Sequence, residues 1–419
     1  MSDTEPRRRL LPNDVRYLVL EGGGGKGHAY LGAVRALEEL DVMPNIKGFG
    51  GASAGAITAL MLSTGMDSKA IAEYMAGTDF DKFFEPPEPR WRPEAGSGGQ
   101  PVEPEWTKIE RAVELALTVS KFSLKRLLPL LGSAFAPELW EEVKGKLHKQ
   151  PFKILLANWP TYAAFLGRDM GVFSGMEARK AWESLLRERM RLRGHRPLDG
   201  AVTFREHRRV FRKDLLMTGS NLSTGRTELF SARYTPDFPV ADAVRISMSL
   251  PFIYKPYVIK GKRDGWPPCG TYVDGGLWNN LPFREFEREP ELVPSEARAS
   301  AAVPTGPPRP RTLALRLSID PPTPVRNLGD LLCRIGQIGL FGSGESQVLA
   351  PYEDQTISLV TKGLDLVNFT PPPRHRALAV MRAHRAVYHY FHKPLKPEDQ
   401  QPWDDFYIEM MFEAGRACP

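Results

Sequence analysis

Residues 15–20, VRYLVL, form a short, mostly apolar run that stops at Glu21 and four consecutive glycines. A run of that length closed by turn residues predicts a buried strand followed by a tight turn. Residues 27–40 then change period. Tyr30, Ala33, Val34 and Leu37 recur at helical spacing and mark one apolar helix face. A second strand is expected over 46–50. A second helix follows from about 54 to 64, carrying Ile57, Leu60 and Met61. Strand, helix, strand, helix in that order predicts an α/β core with parallel strands, because short right-handed crossovers bring such strands side by side.

Residues 85–104 interrupt the pattern with proline and glycine and read as an irregular linker. Residues 105–200 read as mainly helical and basic, although Pro129 breaks any single helix over 121–135. The stretch at about 85–170 is expected to be a helical insertion capping the core. Residues 171–173 return to it, and a helix follows over 178–193. Strands are expected at 214–219 and 227–232, with strand–turn–helix character over 240–257. A second proline-rich loop spans 294–312, ahead of a strand at 313–318. An amphipathic helix over about 375–392 carries Leu378, Met381, Val387, Tyr388 and Phe391. The expected division is a flexible N-terminus (1–14), one catalytic domain (15–320) and a C-terminal helical extension packed on the core (321–419). No internal repeat is visible.

Composition narrows the classes. With 42% hydrophobic and 25% charged residues, the 419-residue chain reads as an ordinary globular protein with a sizeable core. Its formal charge of +6 favours anionic partners such as phospholipid surfaces, and equally fits a solubilising surface. No nucleic-acid recognition motif accompanies it. Cys269, Cys333 and Cys418 form neither a disulfide framework nor a zinc-spaced cluster, which fits a reducing compartment. The N-terminus has no apolar run behind Arg7, Arg8 and Arg9, so no secretory signal is expected. No stretch approaches the roughly 18 apolar residues of a membrane span. The expectation is a cytoplasmic protein whose membrane contact, if any, is peripheral, with its oligomeric state left open.

Three short elements carry chemistry. The first is Gly22, Gly23, Gly24, Gly25, Lys26 and Gly27 between a strand and a helix. Amides of such a loop converge on one negative oxygen, aided by the helix N-terminus and the lysine charge. The loop suits a phosphate or the oxyanion of an acyl intermediate. It also fits a dinucleotide fingerprint, but that reading wants an acid at the end of the next strand, where this chain has Gly50 and Gly51. A phosphate-binding Walker loop wants Ser or Thr after the lysine, and Gly27 stands there. A plain tight turn is the structural alternative.

The second is Gly51, Ala52, Ser53, Ala54 and Gly55, a G-x-S-x-G pattern between strand and helix, whose small neighbours let a helix start almost on top of a strand. A serine hydroxyl needs a base. The late histidines His375, His384, His389 and His392 sit in or at the start of a helical pattern, and His28 lies at a helix start, so each reads first as a packing or surface residue. The third element is Asp274, Gly275 and Gly276, followed by Leu277, Trp278, Asn279, Asn280, Leu281 and Pro282. Its glycines let the carboxylate approach another loop, while an ordinary Asp-Gly turn remains the plain alternative.

In this order and together, Glu21 to Gly27, Gly51 to Gly55 and Asp274 to Gly276 resemble the patatin-like phospholipase family. Weaker landmarks lie at 171–175, 203–204, 218–226 and 247–251. The resemblance covers roughly 15–80 and 171–290. It departs in having Glu21 where the family often has aspartate and Lys26 where it often has arginine. It implies a three-layer α/β/α fold with a mainly parallel central sheet. It implies Ser53 as nucleophile, Asp274 as its base, and an oxyanion hole at Gly22, Gly23, Gly24 and Gly25 with Lys26 nearby. The implied activity is hydrolysis of (phospho)lipid acyl esters through an acyl-enzyme, with no metal or organic cofactor. The readings set against it are a nucleotide-binding oxidoreductase using the glycine loop and a catalytically silent lipid-binding protein.

Overall fold

Alternating side chains in the central strands bury both faces of one sheet. In the computed structural model, the described residues are 9–84, 169–287, 311–317, 350–364 and 369–394. Strand β1 (Tyr17–Leu20) pairs in parallel with β2 (Gly48–Gly51) on one side and β9 (Thr312–Leu317) on the other. Leu18 and Leu20 of β1, with Leu313, Leu315 and Leu317 of β9, face a large helical core. Val19, Ala314 and Leu216 face a smaller cluster with Leu281, Phe283 and Phe286. That period of two, apolar on both faces, is the signature of a sheet covered on both sides.

The sheet continues through β4 (Asp214–Asn221), β8 (Gly270–Asp274) and β7 (Tyr257–Ile259), with β10 (Thr356–Leu359) beside β9, giving the order β10-β9-β1-β2-β4-β8-β7. Strand β5 (Arg226–Phe230) pairs antiparallel with β4, and β3 (Gly171–Phe173) pairs with β6 (Phe252–Tyr254) in a separate two-stranded sheet. Strands β10, β9, β1, β2 and β4 run parallel, whereas β8 and β7 reverse direction. The expected mainly parallel α/β architecture is therefore present.

Helix α1 (Tyr30–Glu39) begins three residues later than its pattern suggests, because a 3₁₀ turn takes up Gly24–Ala29. Helix α2 (Ala54–Ser63) is buried nearly all round, so it has no polar face to give it a helical period. Helix α3 (Ser68–Gly77) is capped by Asp67, whose carboxylate accepts from the Ala70 amide at 2.7 Å. Helices α4 (Met176–Leu192), α5 (Phe204–Phe211), α6 (Val240–Ser247) and α7 (Phe283–Glu287) complete the layers around the sheet.

The tail contributes helix α8 (Pro373–Tyr390), which packs along α1. The helices approach so closely that a Cβ on Gly32 would overlap the Val380 backbone. At their far end His384 and Tyr388 meet the Glu39 carboxylate at 3.0 and 2.7 Å. Burial would raise the Glu39 pKa, but bonds from Tyr388, His384 and Arg35 hold it down at about 2.

Two boundaries differ from expectation. The tail is not purely helical: strand β10 (Thr356–Leu359) extends the sheet beside β9. The packed chain also starts before Val15, because Leu10 is buried and its amide reaches the Tyr390 hydroxyl. The expected insertion at about 85–170, nearly all of the loop at 294–312 and the segment at 121–135 lie outside the described residues.

Candidate active site

Register alone brings Ser53 and Asp274 to one level of the sheet. Gly51 of β2 stands opposite Met217 of β4, and Ser53 lies two residues beyond Gly51. On the other side of β4, Asp274 stands opposite Gly219, two residues beyond Met217. Both residues thus end strands that flank the same neighbour, at the same height past the carboxyl end of the parallel core.

Ser53 occupies a sharp strand-to-helix turn with φ 49° and ψ −122°, a backbone region that costs a non-glycine residue about 1–3 kcal/mol. The surroundings enforce it. A Cβ on Gly51 would strike the Gly55 backbone, and one on Gly55 would strike the Leu20 carbonyl. Helix α2 therefore starts almost in contact with β1 and β2, as the small residues Gly51, Ala52, Ala54 and Gly55 allow. The Ser53 amide donates to the Ser247 hydroxyl at 3.0 Å, which ties the turn to the end of α6. Arg245, two residues earlier and buried, donates to the carbonyls of Ser174 and Lys255 at 2.8 and 2.7 Å.

Asp274 is wholly enclosed. Its Oδ1 accepts from the Gly276 amide at 2.7 Å, and its own amide donates to the Ser249 carbonyl at 2.9 Å. Its Oδ2 is buried, and the Ser53 side chain is near enough to favour the charged carboxylate. Burial is the dominant influence and raises the Asp274 pKa from the usual carboxylate range to about 7, against the opposing pull of Gly276 and Ser53. Gly275 is pressed against the Thr218 backbone, where a Cβ would overlap the carbonyl.

The glycine loop lies directly beside this pair. A Cβ added to Gly22 would come within 3.0 Å of the Ser53 Cβ, and one on Gly27 within 3.0 Å of the Ala54 Cβ. Not every amide in it is available to a ligand. The Gly22 amide donates to the Asn280 carbonyl at 3.0 Å, and the Lys26 amide to the Gly23 carbonyl at 3.0 Å. Among the described residues, no backbone acceptor takes up the amides of Gly23, Gly24 and Gly25. The Gly22 amide is thus engaged within the fold, and the Lys26 side chain lies mostly buried alongside the loop. Glu21 serves the fold, its carboxylate accepting from the Leu317 amide at 2.6 Å.

Asn280 joins the two loops. Its Nδ2 donates to the Gly22 carbonyl at 3.0 Å while its own carbonyl accepts from the Gly22 amide. Its Oδ1 is buried against both Gly22 and Gly276. Sequence reading passes over this residue, because its partner lies 258 positions away.

The histidines do other work. His384 holds Glu39. His28 contacts the Phe369 carbonyl at 3.0 Å through Nε2, and burial lowers its pKa. His207 is buried against the Ser63 hydroxyl at 2.9 Å, its pKa pushed down to about 3 by burial. No histidine is bonded to Ser53 or Asp274 among the described residues.

A pocket opens beside the loop and the elbow. Gly24, Gly25, Gly27 and Ala54 form one wall, Ile57, Thr58 and Met61 of α2 another, and Tyr74, Met75, Phe80 and Trp182 the far side. Its walls are chiefly hydrocarbon and aromatic, which suits an apolar chain rather than a nucleotide.

The chain is similar to known proteins over most of its length. A family model described as patatin-like phospholipase matches residues 18–287. An uncharacterized protein of Acanthamoeba polyphaga mimivirus is 23% identical over 358 residues, covering 85% of this chain and 86% of that one. A probable lipid hydrolase of Invertebrate iridescent virus 6 is 28% identical over 122 residues, 29% of this chain and 37% of that protein. Among solved structures, VipD from Legionella pneumophila is similar, with a TM-score of 0.45 and 21% identity over 90% of this chain and 67% of that chain.

Proposed function

Because this chain belongs to the patatin-like phospholipase family over residues 18–287, we propose that it is a serine lipid acyl hydrolase working through a Ser53–Asp274 dyad. The observation that carries this reading is the common level of Ser53 and Asp274 on either side of β4, with the glycine loop against the Ser53 turn at Gly22. As the Ser53 Oγ attacks the ester carbonyl carbon, its proton passes to the Asp274 carboxylate. The carbonyl oxygen gains negative charge and is held by the loop amides. Collapse of the tetrahedral intermediate breaks the carbon–oxygen bond to the alcohol, which takes the proton from Asp274 as it leaves. Water then attacks the acyl-enzyme, giving its proton to Asp274, and Ser53 leaves with that proton restored as the fatty acid is released. The acyl chain occupies the apolar cavity along α2.

The substrates on this reading are phospholipids or other acyl lipids. A nucleotide-binding oxidoreductase leaves the strained Ser53 and the enclosed carboxylate without a task. The test is fatty-acid release from a panel of phospholipids, lysophospholipids and neutral glycerides by the wild type, Ser53→Ala and Asp274→Asn. Release by the wild type alone supports the proposal. Undiminished release by Ser53→Ala removes the nucleophile, and no release by any form favours the silent lipid-binding protein.

A further inference from the structure

Two coupled turns carry a basic surface beyond the sheet edge that holds Ser53 and Asp274. Strand β8 runs antiparallel to β4, so moving back from Asp274 to Tyr272 and Gly270 leads outward past Asn221. The turn over 260–269 therefore projects from the same edge as the nucleophile. So does the turn over 222–225 between β4 and β5.

The two are tied together. The Leu222 amide donates to the Thr271 carbonyl at 2.8 Å, and the Thr271 amide donates to the Ser223 hydroxyl at 3.0 Å. The larger turn is braced from beneath. The Asp237 amide donates to the Gly265 carbonyl at 3.1 Å, and Trp266 packs edge-on against Phe238 at 5.0 Å. Arg263 lies 4.6 Å over the Trp266 ring. This braced surface exposes Arg226, Lys260, Lys262 and Arg263 beside two exposed acids, Asp264 and Asp237, of which Asp237 is already paired with Arg205 at 2.9 Å. Leu222 and Val258 beside them are about half exposed, at 47% and 50%.

We infer that these turns dock the protein on an anionic phospholipid surface, so that the edge carrying the dyad faces the membrane. The choice of a lipid partner rests on the lipid-hydrolase reading above. It also rests on charge complementarity and on the exposed aliphatic residues among the cations. Cations held near an anionic leaflet each add to binding, and the attraction fades within about 8 Å at physiological salt. A braced turn keeps them at that distance without an ordering cost at each encounter.

The test is flotation of the full chain with vesicles of phosphatidylcholine, alone or mixed with phosphatidylglycerol. The wild type is expected to prefer the mixed vesicles. Combined Lys260→Glu, Lys262→Glu and Arg263→Glu should lower partition onto them by at least about tenfold. The milder Lys260→Gln and Lys262→Gln pair should lower it by roughly tenfold, which keeps the test valid if the reversal fails to fold. Hydrolysis of a short soluble ester should be unchanged in either variant. Equal partition of wild type and the Gln pair, indifference to phosphatidylglycerol, or preference for an oligonucleotide over the vesicles would overturn the inference. Soluble-ester rates for wild type no higher than for Ser53→Ala would instead sink the hydrolase reading, while the vesicle comparison still decides the surface.

Discussion

On the proposed mechanism, the proton on Asp274 governs when this site can act. An enclosed carboxyl with a pKa near 7 is protonated, and so useless as a base, across the range where an exposed aspartate is already ionised. The rate at limiting substrate should therefore rise about tenfold per pH unit below pH 7 and level off above it. Full activity already at pH 5 would contradict the assignment. The same shift has a stability sign. A raised carboxyl pKa favours folding while the proton is on, and that contribution is lost as pH rises through about 7. Asp274→Asn should accordingly gain more thermal stability over wild type at pH 8 than at pH 4, in melting curves at the two values.

Asn280 matters through Gly22 and not through contact with substrate. Its side chain and backbone hold both polar groups of Gly22 and so fix where the following amides point. Asn280→Ala should lower kcat by about 10²-fold, the scale of losing an oxyanion donor, with KM little changed. A matching rise in KM would mark a loosened pocket instead. Ser53 and Asp274 were legible from their flanking glycines. Asn280, and the hydroxyl of Ser247 on the Ser53 amide, were not, because each acts on a partner roughly two hundred or more residues away. The engagement of the Gly22 amide was hidden for the same reason.

Helix α2 serves the site twice, by its start and by the side chains that line the pocket. Its first turn lies against β1, so Gly55→Ala drives a methyl into the Leu20 carbonyl. A loss of about 1–3 kcal/mol is expected from urea unfolding. Further along, Met61 lines the apolar cavity. Met61→Trp should fill it and shift preference toward shorter acyl chains, read as the ratio of rates on short and long p-nitrophenyl esters. An unchanged ratio would locate the acyl chain elsewhere. The strands β1, β2, β4 and β9 and the helices α1, α2 and α8 were readable from period and turn residues, to within a few positions. Strand β10 was not, since its burial alternates within a polar-flanked run too short to separate from a loop. The 3₁₀ turn ahead of α1 was also invisible, because glycines carry no period.

Across the whole molecule, order along the chain and order in space diverge. The motif-bearing ends of the 18–287 match meet around β4, and the tail after residue 350 returns to close the sheet with β10 and brace α1 with α8. Among the described residues no helix is long and apolar enough to cross a membrane. The basic turns beyond β8 lie on the edge that holds Ser53 and Asp274. Most directly, the central claim is tested by intact-mass analysis after treatment with a fluorophosphonate at pH 8. One adduct on the wild type, mapped to Ser53, with none on Ser53→Ala and slowed addition on Asp274→Asn, is the expected result. An adduct of equal yield on Ser53→Ala would contradict it.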